Sequence, residues 1–291
     1  MSKYIFKKAI ENMELKNINF FGPISFNKYI SENNLANVRT AQNISIDSYE
    51  KLQDDLKTRN IMVLRLGRSE DNSGTKFILV KVKNIKDYFI FDEEIFDKKG
   101  ITYLPTRSIR ELFAYQVFGF LSESSYVNLS VASGLMSRAL NLDEYNVPLT
   151  PCSGKSTFSF EFYPHSQYKN NILYHDNGQV EIDGVLVAER NGKTTVFILE
   201  AKSDKSHKSL AKHKLVYSVL SIAPNIPKDM EIVPVYIKVF KEVDGIHYHI
   251  VECELPDPRQ TTIAIDELKV KKYSHLVLPN LILFNKKSDE V

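Results

Sequence analysis

Apolar positions along this chain recur with two spacings, and the spacing changes mark out its elements. Lys3 to Met13 repeats at helical intervals, and Phe20 to Ile30 is aromatic-rich with a Gly22-Pro23 turn. A second helix is expected over Asp47 to Leu56, capped by Asp47 or Ser48. Strand patterns follow at Ile61 to Leu66, Lys76 to Val82 and Tyr88 to Phe91, with turn residues at Asn72-Ser73-Gly74. These strands are expected to form a small antiparallel sheet. Helices are then expected over Arg107 to Leu121 and Ser125 to Leu142, the second with apolar residues at intervals of three and four. Phe158 to Tyr163 alternates as a strand, and Pro164 to Asn177 reads as a loop. Two apolar strands, Val180 to Ala188 and Thr194 to Ala201, flank a turn at Glu189-Arg190-Asn191-Gly192. A basic helix over Ser203 to Ile222, capped by Ser206, precedes Pro224 and Pro227. Strands Glu231 to Phe240 and Ile246 to Leu255 turn at Asp244-Gly245, and Leu276 to Phe284 is apolar enough to dock on the core.

A chain of 291 residues allows one large domain or two modest ones. The pattern divides at the Asp97 to Gly100 loop into an N-terminal α/β region, residues 1–100, and a second region, residues 101–291. Hydrophobic residues make up 43% and charged residues 25%, a profile of water-soluble globular domains. No apolar run spans a bilayer, and the first residues mix charge with apolar side chains too closely for a signal peptide. The expectation is a cytoplasmic protein. The two cysteines, Cys152 and Cys253, lack metal-site spacing, and the seven histidines contain no HExxH pattern. His247 and His249 share a strand face with Val251 and Cys253 and read as sheet residues; His165 and His175 lie in a loop. The net charge of +2 makes any nucleic-acid surface a local one.

One stretch carries chemistry. Alternation puts Glu181, Asp183, Val185 and Val187 on one face of the first central strand, and Glu200 with Lys202 on one face of the second. The hairpin brings Asp183 towards Glu200 and Lys202. Unpartnered charges against apolar strands are costly, so these three ask for a shared purpose. Paired carboxylates suit a hard cation such as Mg²⁺, and an adjacent lysine can orient water and stabilise developing negative charge.

The run Glu181-Ile182-Asp183-Gly184, followed by Glu200-Ala201-Lys202, resembles the signature of the PD-(D/E)XK nuclease superfamily, which includes many type II restriction endonucleases. The resemblance covers roughly Phe158 to Phe240; Ile182 stands where the signature has proline. It implies an α/β fold, a mixed central sheet with an αβββαβ restriction-endonuclease-like core. It also implies a Mg²⁺-dependent endonuclease acting on double-stranded DNA as a homodimer. Asp183 and Glu200 would hold the metal with the carbonyl of Ala201, and Lys202 would position the water. Glu181 and Glu161 are candidates for a further acid, as are Glu111 and Glu123 on the preceding helices. Lys205, Lys208, Lys212 and Lys214 follow the signature and are candidate phosphate contacts. Arg65, Arg68 and Lys76 place a DNA-recognition role in the N-terminal region beside that of a plain solvated loop. Residues 107–142 fit either a winged helix or the helix that precedes the nuclease sheet. A structure-specific repair or recombination nuclease, and a non-catalytic DNA-binding module on the same fold, are the alternatives.

Overall fold

The computed structural model describes residues 4–35, 38–70, 74–105, 107–108, 110–143 and 149–280. In the N-terminal part, α1 (Lys7–Lys16), β1 (Phe20–Ser25), α2 (Phe26–Glu32), α3 (Thr40–Ile44) and α4 (Asp54–Thr58) precede β2 (Ile61–Arg68) and β3 (Thr75–Lys81). β3 lies between β1 and β2, antiparallel to both. The rings of Phe6, Phe26, Tyr29 and Phe77 pack together with centroids 5.5–6.3 Å apart, which seals α1 and α2 onto this sheet.

Several expected elements take other forms. The helix expected over Asp47 to Leu56 is a single tight turn at Tyr49–Lys51 and then α4, because Leu52 and Gln53 are extended. β2 and β3 pair antiparallel as expected, and the other partner of β3 is the aromatic Phe20–Ser25 stretch. β4 (Phe89–Phe91) instead pairs with β9 (Ser209–Ala211) as a separate two-stranded sheet. Asn72 and Ser73 lie outside the described residues.

After β5 (Ile101–Thr102) come α5 (Glu123–Ala132), α6 (Leu135–Leu140), β6 (Cys152–Phe162), β7 (Leu173–Arg190) and β8 (Lys193–Lys202). Then follow α7 (Lys212–Ile222), β10 (Glu231–Lys241), β11 (Gly245–Glu254) and β12 (Lys269–Pro279). One ten-stranded mixed sheet runs β1-β3-β2-β7-β8-β10-β11-β12-β5, with β6 on β7. β2 joins β7 through a single parallel bridge, Gly67 to Asp176, where the backbones approach so closely that a Cβ on Gly67 would lie 2.0 Å from the Asp176 carbonyl oxygen. β6, β7 and β8 form an antiparallel run, and α7 carries the chain across to β10, parallel to β8. Apolar side chains fill both faces. Val196, Ile198, Leu215 and Val219 belong to one cluster; Val127, Leu129, Leu186, Phe197 and Leu199 belong to the other.

The central hairpin is tighter than the sequence pattern implies. β7 and β8 pair up to Arg190–Lys193, leaving only Asn191 and Gly192 in the turn, at φ 53° and 70°. That is the left-handed pair a two-residue hairpin requires. The Asp143 carboxylate accepts both turn N–H groups at 2.8 Å. Arg190 is drawn off the turn to the buried Glu252 on β11, 2.7 Å away.

Among the described residues of 107–121, the one helical stretch is a turn at Phe113–Gln116, so the two-helix arrangement of a winged helix does not form. The helix expected over Ser125 to Leu142 starts at Glu123 and breaks at Gly134, whose φ of 82° is left-handed. α5 packs Val127 and Leu129 onto the sheet with Leu186 and Leu199. The basic helix begins at Lys212 rather than near Ser206, because β9 occupies Ser209–Ala211. The loop expected over Pro164 to Asn177 ends early, since β7 starts at Leu173. Residues 281–284 of the apolar C-terminal stretch lie outside the described residues.

Candidate active site

The site forms where the β7–β8 ladder stops. Regular pairing ends at Gly184–Leu199, and just beyond it Asp183 Oδ2 accepts the Ala201 N–H at 2.8 Å. A side chain thus takes the place of a ladder carbonyl, holding the carboxylate against the backbone of the opposite strand. Glu200 and Lys202 point to the same side of β8, two positions apart. Glu200 is 2% exposed, and Lys202 Nζ lies 2.8 Å from its Oε1. Lys202 Nζ also donates to the Ala201 carbonyl at 2.9 Å. β8 lies centrally in the sheet, flanked by β7 and β10, which helps to bury the group.

A third acid joins from α5. Ser122 caps this helix by accepting the Ser125 N–H, which sets Glu123 in its first turn. Glu123 Oε2 lies 3.6 Å from Lys202 Nζ, and its Oε1 accepts the Ser203 N–H at 3.2 Å. Of the two helix acids that the sequence leaves open, Glu123 is therefore the one joined to Lys202. Glu111 is exposed.

The electrostatics follow from crowding. Burial, and after it the adjacent Glu200, push Asp183 up to about 6 from 3.8. Burial works against the charge on Lys202, but Glu200, Glu123 and Asp183 outweigh it and raise its pKa. Three carboxylates therefore gather around the buried Lys202 ammonium, oxygen donors of the kind a hard divalent cation would take. Asp183, Glu200 and the Ala201 carbonyl are the groups that would hold it, with Glu123 beside them.

Positive and negative groups continue outwards in alternation. Lys214, in the first turn of α7, lies 3.9 Å from Glu200 and 3.8 Å from Asp47; Lys51 lies 2.5 Å from Asp47. Burial opposes the charge of Asp47, but Lys214 and Lys51 prevail and keep its carboxyl below the usual range. Sequence pattern marked Asp47 only as a helix cap; its contact with α7 spans most of the chain and leaves no local signal.

The other candidates lie elsewhere. Glu181 is exposed and 3.9 Å from Lys155, and Glu161 is exposed on β6. Lys205 pairs with Glu242 at 3.0 Å, Lys208 is exposed, and Lys212 donates to the Asp266 carbonyl at 3.4 Å. Of the four lysines, only Lys214 makes an ion-pair contact with the cluster. His175 stacks on Phe160 at 4.5 Å and bonds the Phe158 carbonyl; burial lowers it to about 4. His247 and His249 lie in β11, as expected. His247 bonds His275 and Asp244, and with Glu242 and Asp244 it brings three potential ligand atoms within 4.8 Å of one another.

Among the described residues, no helix is long and apolar enough to cross a membrane. No curated protein and no solved structure matches the chain. A family model does match, over residues 84–274, a span that contains Glu123, Asp183, Glu200 and Lys202 but not Asp47. The chain belongs to that family, described as Domain of unknown function (DUF6997).

Proposed function

We propose that this protein is a Mg²⁺-dependent endonuclease that hydrolyses phosphodiester bonds in duplex DNA, similar to type II restriction enzymes. The observation that carries the proposal is the convergence of Asp183, Glu200, Lys202 and Glu123 at the open end of the β7–β8 hairpin. The element order supports it as well. With the short β9 set aside, the order from α5 and α6 through β6, β7, β8 and α7 to β10, which is parallel to β8, is compatible with the helix–three strands–helix–strand order expected of a restriction-endonuclease-like core.

When bound, the Mg²⁺ ion supplies Lewis-acid polarisation of a phosphoryl oxygen. The chain's own residues do the rest. Asp183 is fixed by the Ala201 N–H and Glu200 is buried against Lys202, so each carboxylate is held in place by the chain. Lys202 stays protonated near neutral pH, so it serves here as a fixed positive charge that orients water and stabilises the negative charge on the pentacoordinate phosphorus, rather than as a free base. Lys214 lies on the same side and is suited to contact a neighbouring phosphate. Cutting both strands of a duplex suits two copies related by a two-fold axis.

The test is incubation with long duplex DNA and Mg²⁺, with EDTA and Lys202→Ala as controls. Discrete fragments lost in both controls support a sequence-specific nuclease. Absence of cleavage on unmodified and methylated duplex by a folded protein refutes that reading, and cleavage confined to branched substrates replaces it with a structure-specific nuclease.

A further inference from the structure

The Lys214 side chain that touches Glu200 also borders a cavity of about 60 Å³. Its walls come from both parts of the chain: Ser45 and Arg65 from the N-terminal part, Gln179 from β7, and His213 and Tyr217 from α7. Two features make it more than a gap between elements. Arg65 is largely buried, its guanidinium donates to Ser45 Oγ at 3.1 Å, and among the described residues no carboxylate lies within ion-pair distance of it. His213 is 6% exposed, and its Nδ1 has no hydrogen-bond partner among the described residues.

A largely buried guanidinium with no ion-paired carboxylate, acted on by Asp47 only at a distance, lines the same cavity as an imidazole nitrogen without a hydrogen-bond partner, and both can donate to an anion with several acceptor oxygens. Arginine's planar fork matches a phosphate in two parallel hydrogen bonds. Size narrows the choice. A cavity of about 150 Å³ is what accommodates a benzene ring, so this one is too small for a nucleobase and suits a tetrahedral oxyanion. Two acids also border it, and both have cations at hand: Asp47 lies against Lys51 and Lys214, and Glu181 lies 3.9 Å from Lys155. Burial holds His213 near 3, neutral at physiological pH, so its ring can present Nδ1–H as a donor without adding charge.

We propose that this cavity is a phosphate-binding subsite, in which Arg65, His213 and Lys214 receive a phosphate of the bound strand next to the one attacked at the Asp183–Glu200–Lys202 cluster. The strand as the source of the phosphate rests on the nuclease proposal; the anion chemistry does not. The N-terminal part of the chain then completes the site rather than standing beside it.

The experiment follows the side-chain nitrogen resonances of His213, assigned with His213→Gln, in full-length protein free of divalent metal. Inorganic phosphate is titrated first and short duplex DNA second, in wild type, Arg65→Gln and Lys202→Ala. Both ligands should shift His213 in wild type and in Lys202→Ala. Arg65→Gln should lose the phosphate-induced shift, weaken duplex binding about ten-fold and lower the slope of log affinity against log salt by about one. A phosphate shift that depends on Arg65, in a protein that neither binds nor cuts DNA, keeps the subsite and overturns the strand as its source. A His213 resonance indifferent to both ligands, with unchanged affinity and salt slope in Arg65→Gln, overturns the proposal. Should Arg65→Gln fail to fold, Arg65→Lys retains the charge without the fork, and the wild-type titration alone still decides whether phosphate enters.

Discussion

The N-terminal strands β2 and β3 and the central strands β7 and β8 are both antiparallel pairs with apolar interiors, yet they treat charge differently. β3 carries its lysines at its ends, and Val80, Leu79 and Ile78 between them are buried. The central pair instead ends in Asp183, Glu200 and Lys202, with a buried carboxylate at its heart. Nothing in packing requires that arrangement; Asp183 sits at about 6 because burial and Glu200 disfavour its charge. The first pair is a wall with one inward charge, Arg65, held by Ser45, and the second gathers several charges at one end. The family match respects the same division, covering the central pair and leaving out β2 and β3.

That contrast can be broken at several points, and the largest effects belong to the strained end. Replacing Lys202 by Ala or Glu200 by Gln should lower DNA cleavage by about 10²–10⁴-fold, measured in single-turnover assays with saturating Mg²⁺. Asp183→Asn should lose cleavage to a similar degree while stabilising the metal-free protein. The wild-type carboxyl is held near 6 in the folded protein against 3.8, so between those values the folded protein keeps a proton that the unfolded chain has released. Metal-free stability should therefore fall as pH rises through that window. Asn keeps the acceptor for the Ala201 N–H without the charge, and should raise stability at pH 7.5 by about 1–3 kcal/mol in urea denaturation. Equal stability of the two proteins at pH 7.5 would remove the strain from the explanation.

Smaller effects belong to the N-terminal wall. Asp47→Asn should reduce cleavage by about three- to ten-fold, since it loosens Lys214 without touching Asp183 or Lys202. Glu161→Gln, on an exposed face of β6, should leave both cleavage and stability unchanged within error. A large loss in Glu161→Gln would mean that the acids are grouped incorrectly.

How much of this was written in the sequence depends on the range over which each contact acts. Asp183, Glu200 and Lys202 were legible because a strand's two-residue period and the Asn191-Gly192 turn fix their relation locally. Glu123 was legible only as one of two helix acids, because whether a helix begins at Glu123 or earlier depends on the Ser122 cap and on α5 docking against the sheet. The helix expected over residues 107–121 failed because apolar periodicity does not distinguish a helix from an aromatic-rich loop; Phe118 and Phe120 are exposed. β9 escaped notice because three residues carry too short a pattern, and its pairing with β4 lies more than a hundred positions away. Arg65 did leave a signal, a lone charge within the apolar run IMVLRL, and that charge borders the polar cavity. His213 left none.

The most direct test asks whether the strained cluster holds a divalent cation, whatever the substrate. Calorimetric titration of Mn²⁺ and Mg²⁺ into wild type, Asp183→Asn and Glu200→Gln at pH 7.5 answers it. Saturable binding by wild type, lost in both variants and releasing protons from Asp183 only when the titration is repeated near pH 6, is the predicted result. Binding of equal strength in all three proteins, or none in a folded wild type, would contradict the assignment of this hairpin end as a metal-dependent active site.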